Sequence, residues 1–325
     1  MMYARSVKFV TDGERSLIVA LLGDLDLGRE LGKPGTRSDI TLYDSVGSGV
    51  ISTYVEPTQF PEKLAPLLAA LAIGDRPIVV ANGLNRDLGE IVLAVDLMGR
   101  TEGLLALGPG VGEGDLQPLL KGTSLQRFAR LPRDAKALRE AVLNWPSRTS
   151  PGEVVVPIDH AFPVKGVGTV VLGVVRQGTL HVHDKLRLYP SERMVEARSL
   201  QVHDVDLPQV ESGSRVGVAL KGVEAEDISR GEILAPEGTL RTGDLLELTD
   251  YRPCRFFKGR AGEGDKVHVS VGLQTAPARI QMVDGPRVQI TVDRPLAWLP
   301  GDVALLVQLS SPGPGPRLAG RGILS

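Results

Sequence analysis

The chain has a single cysteine, Cys254, in 325 residues. One thiol excludes a disulfide framework and a thiolate metal cluster, and it suits a reducing compartment. The five histidines all lie between His160 and His268, so residues 1–150 offer no imidazole base or ligand. Neither sign of charge is in excess: 37 Lys and Arg against 39 Asp and Glu leave −2. No whole-molecule field draws such a chain to nucleic acid or membrane, and any RNA contact has to be a local patch. Long apolar runs are absent too. None approaches the ~20 residues that span a bilayer, and the opening MMYARSVKFVTDGERS lacks an apolar signal core with a cleavage site. The expectation is a soluble, cytoplasmic, monomeric protein with no membrane partner. What is present, 42% hydrophobic and 23% charged side chains, rules out disorder, collagen or coiled coil as the main architecture. It suffices for two or three domains with real cores.

Residues 1–150 alternate apolar runs with amphipathic stretches. LIVALLG (17–23), GVISTYVE (49–56), RPIVVAN (76–82) and EGLLALG (102–108) read as buried strands. EKLAPLLAALAIG, NRDLGEIVLAVDLMG and KALREAVLNW carry apolar residues at helical spacing. That rhythm predicts an α/β domain with a parallel sheet covered on both faces. PSRTSPGE (146–153) reads as a linker. From Val154 the texture becomes short Val- and Leu-rich runs with Gly or Asp turns, the pattern of all-β barrels. EILAPEGTLRTGD (232–244) separates two of them, and SSPGPGPRLAG (311–320) reads as a loop. The expected division is 1–150, 151–238 and 239–325.

After the first strand comes Gly23-Asp24-Leu25-Asp26-Leu27-Gly28-Arg29-Glu30. Its two glycines have the separation and the place of a phosphate-cradling loop, although an unrelated glycine turn has the same pattern. A working loop follows the second glycine with Lys, for the β and γ phosphates, and then Ser or Thr for magnesium. Arg29 and Glu30 stand there instead. Arg is bulkier and planar, and Glu places a carboxylate beside the phosphate position.

The later chain carries the resemblance. PIDHAFPVKGVGTVVLGVVRQGTLHVHDKL (157–186) and GSRVGVALKGVEAEDISRGEILAPEG (213–238) resemble the second domain of elongation factor Tu and its relatives, most closely the archaeal selenocysteine-specific elongation factor. LAGRGILS resembles the closing strand of their third domain. The resemblance implies a P-loop GTPase-like domain followed by two β-barrels, and measured against it residues 1–150 depart repeatedly. Val55-Glu56-Pro57-Thr58-Gln59-Phe60 stands where the family has Asp-x-x-Gly and a catalytic His. Leu107-Gly108-Pro109-Gly110-Val111 stands where Asn-Lys-x-Asp reads guanine, and losing that charged pair costs roughly 2–5 kcal/mol. GKPGTRSDITLYD replaces the switch segment with its magnesium-binding Thr.

The expectation is a degenerate GTPase domain with no catalytic residue, no metal and no cofactor. GTP with magnesium is the alternative, held at Gly23, Asp24, Asp26, Gly28, Arg29 and Glu30. By position, the resemblance carries the aminoacyl end of tRNA to Asp159, His160, Phe162 and Arg215. It also assigns the tRNA backbone to Arg252, Arg255, Lys258 and Arg260, within a run read as a strand that interleaves cations with aromatics. Lys and Arg outnumber Asp and Glu 11 to 8 in residues 239–325, too small a surplus to decide anything. His181 and His183 are expected to alternate along one strand, and Cys254 to be a buried strand residue. Three functions compete: a pseudo-GTPase that binds aminoacyl-tRNA or the ribosome through its barrels, a divergent but active GTP hydrolase of translation, and a scaffold for another translation factor. An apolar patch on the nucleotide face would favour the scaffold.

Overall fold

The computed structural model describes residues 15–309 and 315–325. The opening segment and residues 311–314 of the 311–320 loop lie outside the described residues. The first domain runs β1 (Arg15–Leu22), α1 (Leu27–Leu31), β2 (Lys33–Arg37), β3 (Thr41–Gly47), β4 (Val50–Glu56), α2 (Ala65–Ile73) and β5 (Arg76–Ala81). It continues with α3 (Arg86–Leu97), β6 (Leu104–Leu107), α4 (Glu113–Leu120), β7 (Ala129–Pro132) and α5 (Ala135–Leu143). Its sheet has the order β2-β3-β4-β1-β5-β6-β7, parallel from β4 to β7, with β2 and β3 antiparallel at one edge.

Period-two alternation sends the two faces of β1 to different cores. Ile18, Ala20 and Leu22 pack with α2, α3 and α4, while Leu17, Val19 and Leu21 pack with α1 and α5. Two helices start on side-chain caps, Asn85 accepting from Leu88 N at 2.8 Å and Asp134 from Ala137 N at 2.8 Å.

The second domain contains β8 (Val156–Val164), β9 (Gly168–Val174), β10 (Thr179–His181), β11 (Lys185–Tyr189), β12 (Arg193–Val202), β13 (Val205–Leu207), β14 (Gln209–Glu211), β15 (Arg215–Lys221) and β16 (Ile233–Ala235). Pairing runs β11-β16-β8-β9-β15-β12, and β12 returns to β11, closing a six-stranded barrel. The third domain contains β17 (Arg241–Pro253), β18 (Lys266–Val271), β19 (Gln274–Asp284), β20 (Arg287–Trp298), β21 (Val303–Val307) and β22 (Leu318–Leu324). It closes in the order β17-β20-β19-β18-β21-β22. Closure pairs both edges of the six barrel strands in each domain, while β13 and the β10–β14 pair lie outside the second barrel's ring.

Two local expectations are corrected. The strand carrying Tyr251 ends at Pro253, so Cys254 and the run to Arg260 form a loop. Cys254 is buried as expected, but from that loop. His183 does not alternate with His181. It lies beyond β10 at φ 73°, in the turn before β11, and bonds Glu196. The stretch GKPGTRSDITLYD, for which the sequence predicts no element, folds as the hairpin β2–β3.

Candidate functional site

The phosphate loop is occupied by its own chain. Gly23 sits at φ +91°, and a Cβ there would fall 2.4 Å from the Val80 carbonyl oxygen, so the turn requires glycine. Asp24 Oδ1 accepts from the amides of Asp26 (3.0 Å) and Leu27 (3.1 Å), donors that a phosphate would otherwise meet. Its Oδ2 accepts from Asn82 Nδ2 (3.1 Å) and Arg133 Nε (2.8 Å). Arg133 reaches on to Glu30 Oε1 at 2.7 Å. Burial works against the Asp24 charge, but the bonds from Arg133, Asn82 and the Asp26 amide hold its pKa below the ordinary value. Asp26 and Arg29 are exposed beside this network.

The second glycine serves packing. A Cβ on Gly28 would fall 2.4 Å from the Tyr43 ring and 2.6 Å from Glu56 Oε2. Glu56 is 2% exposed, and its Oε2 has no hydrogen-bond partner among the described residues. Burial, aided by the charges of Asp24 and Asp26 and opposed by Tyr43 and Arg29, pushes its pKa up to about 7.

On the guanine side, Gly108 to Gly112 offer no carboxylate. The next two acids are engaged, Asp115 by the Gly112 amide (2.9 Å) and Glu113 by Arg130 (3.3 Å). Between the loop, Phe60 and α3 lies a cavity of 150 Å³, below the ~300 Å³ at which small-molecule pockets begin. Leu25 lines it and is 48% exposed; Leu84, 58% exposed, stands between the lining residues Gly83 and Asn85.

The second cluster comes together at the boundary of the first two domains. Asp159 on β8 is 2% exposed, and both its oxygens accept from Arg215 on β15, at 2.7 and 2.9 Å. His160 Nδ1 lies 2.5 Å from Asp159 Oδ2, and its Nε2 lies 3.1 Å from Ser38 Oγ in the β2–β3 turn. Although burial raises the Asp159 pKa, the charge of Arg215 and the bonds from His160 and Arg215 hold it below the ordinary range. An ionised Asp159 only accepts, so His160 Nδ1 donates to it, and Nε2 stands within hydrogen-bond distance of Ser38 Oγ.

Ser38, His160 and Asp159 have the order of an acyl-transfer relay. Arg215 already neutralises the acid, however, and Ser38 Oγ is also engaged with Asp39 and Ile40, so these side chains tie the first two domains together. Beside it opens a cleft of 530 Å³, with Gly35, Thr36 and Asp44 on one wall and Phe162, Val167 and Arg215 on the other. Phe162 is 38% exposed into solvent. His203 and Asp204, both non-glycine residues at positive φ in the β12–β13 turn, complete the barrel side.

The expected backbone-binding cations do not join the cleft. Arg252 is bonded to Asp250 at 2.9 Å. Arg255 lies 4.7 Å over the Phe256 ring and donates to the Lys121 carbonyl at 3.1 Å, on the far side of the sheet from β2. Lys258 packs beside Gly315, and the Arg260 carbonyl accepts from Gln308 at 2.9 Å.

A P-loop GTPase-type domain bearing two barrels in series is the architecture of a translational elongation factor. Residues 168–235 match the family of elongation factor Tu domain 2. The chain is 36% identical over 298 residues to the uncharacterized protein MJ0325 of Methanocaldococcus jannaschii, covering 91% of this chain and 96% of that one. It is 42% identical over 126 residues to the selenocysteine-specific elongation factor of the same organism, 38% of this chain and 27% of that protein. Among solved structures it resembles translation elongation factor SelB from Methanococcus maripaludis in complex with the GTP analogue GppNHp. That match has a TM-score of 0.82 and 22% identity, over 97% of this chain and 80% of the other. The chain belongs to the elongation factor Tu-like family of translation factors, as a relative of the archaeal selenocysteine-specific elongation factor.

Proposed function

We propose that this chain is a pseudo-GTPase of translation that binds an aminoacyl-tRNA in the cleft between the β2–β3 hairpin and the second domain. The observation that carries the reading is the Asp24–Arg133–Glu30 network. A carboxylate occupies the loop amides, and a second, Glu30, shares its Arg133 partner. The residues present do not fit magnesium-bound GTP, since neither the Lys and Ser/Thr of the loop nor a guanine-reading Asp is there.

The cleft keeps what an RNA 3′ end bearing a small acyl group needs: an exposed aromatic face at Phe162, an apolar barrel wall, and a fixed polar group at Arg215. Selenocysteine-specific factors among the relatives support this class of ligand, with the ribosome as the further partner. The cytoplasm is the fitting compartment. A second reading, a docking scaffold for another translation factor, is favoured by one observation, the pair of exposed leucines Leu25 and Leu84 on the nucleotide face.

Calorimetric titration with GTP and GDP in magnesium tests the first half. No heat is expected up to roughly millimolar nucleotide, where binding is worth only about 4 kcal/mol; micromolar binding overturns it. Protection of aminoacyl-tRNA from spontaneous deacylation tests the second half. Protection should vanish in the Asp159→Ala, Arg215→Ala double variant, and unchanged protection removes the cleft assignment.

A further inference from the structure

The first and third domains share one hydrophobic core. Leu88, Ile91, Val92 and Val95 of α3 pack in a single cluster with Cys254, Leu305, Val307 and Leu318 of the barrel. Inside this seam Glu90 on α3, 3% exposed, receives four hydrogen bonds from Arg317, just before β22. They come from the Arg317 amide at 2.7 Å, from Nε at 3.1 Å to each oxygen, and from Nη2 at 2.5 Å. The same guanidinium donates to the Glu62 carbonyl at 3.3 Å and lies 5.8 Å over the Phe60 ring. Phe60 and Glu62 follow β4, the position of the segment that γ-phosphate and magnesium order in nucleotide switches. Here a side chain of the third domain holds that segment.

The other two boundaries are fastened as well. Arg230 meets Asp39 at 2.6 Å between the first and second domains. Arg176 pairs with Asp302 between the barrels. Val155, Tyr189, Leu240 and Ala297 share a core across that same boundary.

We infer that the chain carries its own latch: Arg317 and Glu90 hold the first and third domains in one closed arrangement without nucleotide, and Arg230–Asp39 and Arg176–Asp302 fasten the second domain to them. The inference rests on the pseudo-GTPase reading for its biological meaning, but its physical content is independent. A buried pair with this many bonds is strongly committed, because removing one partner strands the other's charge.

The chain supplies its own reporter, since Cys254 is its only thiol and is buried in the seam. The experiment is the rate of reaction of the full chain with 5,5′-dithiobis(2-nitrobenzoate). The wild-type rate should be slow and the same in buffer, GDP–Mg and GppNHp–Mg at roughly millimolar concentration. Glu90→Ala should raise it about a hundredfold, and Glu90→Gln, which keeps volume and half the acceptors, by less. Circular dichroism and the melting temperature separate seam opening from unfolding. If Glu90→Ala does not fold, Glu90→Gln carries the test.

A severalfold nucleotide effect on the wild type overturns the latch, as do folded variants that react at the wild-type rate. Nucleotide binding by calorimetry with an unmoved thiol rate would instead overturn the pseudo-GTPase reading and leave the latch standing.

Discussion

Replacing Glu56 by Gln should stabilise the first domain at neutral and alkaline pH and do nothing at acid pH. The carboxyl is sealed beneath Gly28 and Tyr43 with one oxygen unbonded, and its folded pKa is about 7 against an ordinary 4.5. Between those values the folded chain holds a proton that the unfolded chain has released. Stability therefore falls as pH rises from about 4.5 to 7 and stays low above it. A shift of that size corresponds to about 3 kcal/mol at full value, and to roughly 2 kcal/mol after allowance for screening. Gln has the same shape and no ionisation, so the variant should gain about 2 kcal/mol over wild type at pH 8, a rise of roughly 4–8 °C in melting temperature. The assay is thermal melting followed by Trp145 fluorescence in a Trp298→Phe background, which places the one remaining tryptophan in the first domain. The decisive quantity is the difference between variant and wild type against pH. A difference that stays flat within about 0.5 kcal/mol from pH 5 to pH 8 refutes the reasoning.

Three further outcomes follow from the same geometry. Arg133→Ala leaves Asp24 and Glu30 without their shared cation, and should destabilise the first domain by about 1–3 kcal/mol in a denaturant titration while creating no nucleotide affinity in calorimetry. Gly28→Ala drives a methyl into the Tyr43 ring and Glu56, and should cost about 1–3 kcal/mol, read as a lower melting temperature. Phe162→Ala should cost about 1–2 kcal/mol, because the ring is 38% exposed, and weaken aminoacyl-tRNA protection severalfold; a loss of about 3–5 kcal/mol with unchanged protection would make Phe162 a barrel-core residue.

Much of the fold is legible in the sequence because its signals are local. The apolar runs of β1, β4, β5 and β6, and the helical spacing of α2, α3 and α5, are set by residues a few positions apart. The hairpin β2–β3 escapes this reading because Lys33-Pro34-Gly35 has the composition of a loop, and its strand identity comes only from pairing with β4 through β3. The run after Pro253 misleads in the opposite direction. Alternating aromatics and cations look like a strand, but Phe256 and Phe257 are divided between solvent and the inter-domain core by a loop. The cluster of Asp159, His160 and Arg215 was reachable through resemblance, while its partner Ser38 was not, since it arrives from another domain.

By itself the sequence determined the order of the domains, the departures of residues 23–30 from a Lys-and-Ser/Thr phosphate loop and the type of side chain in each place. Those are properties of residue identity and short-range period. Only the tertiary structure decided what those side chains meet. Arg133 closes on Asp24 from 109 residues away, and Arg317 on Glu90 from 227. Ion pairs of this kind form between side chains whose meeting is fixed by sheet order and barrel closure, which no local pattern encodes.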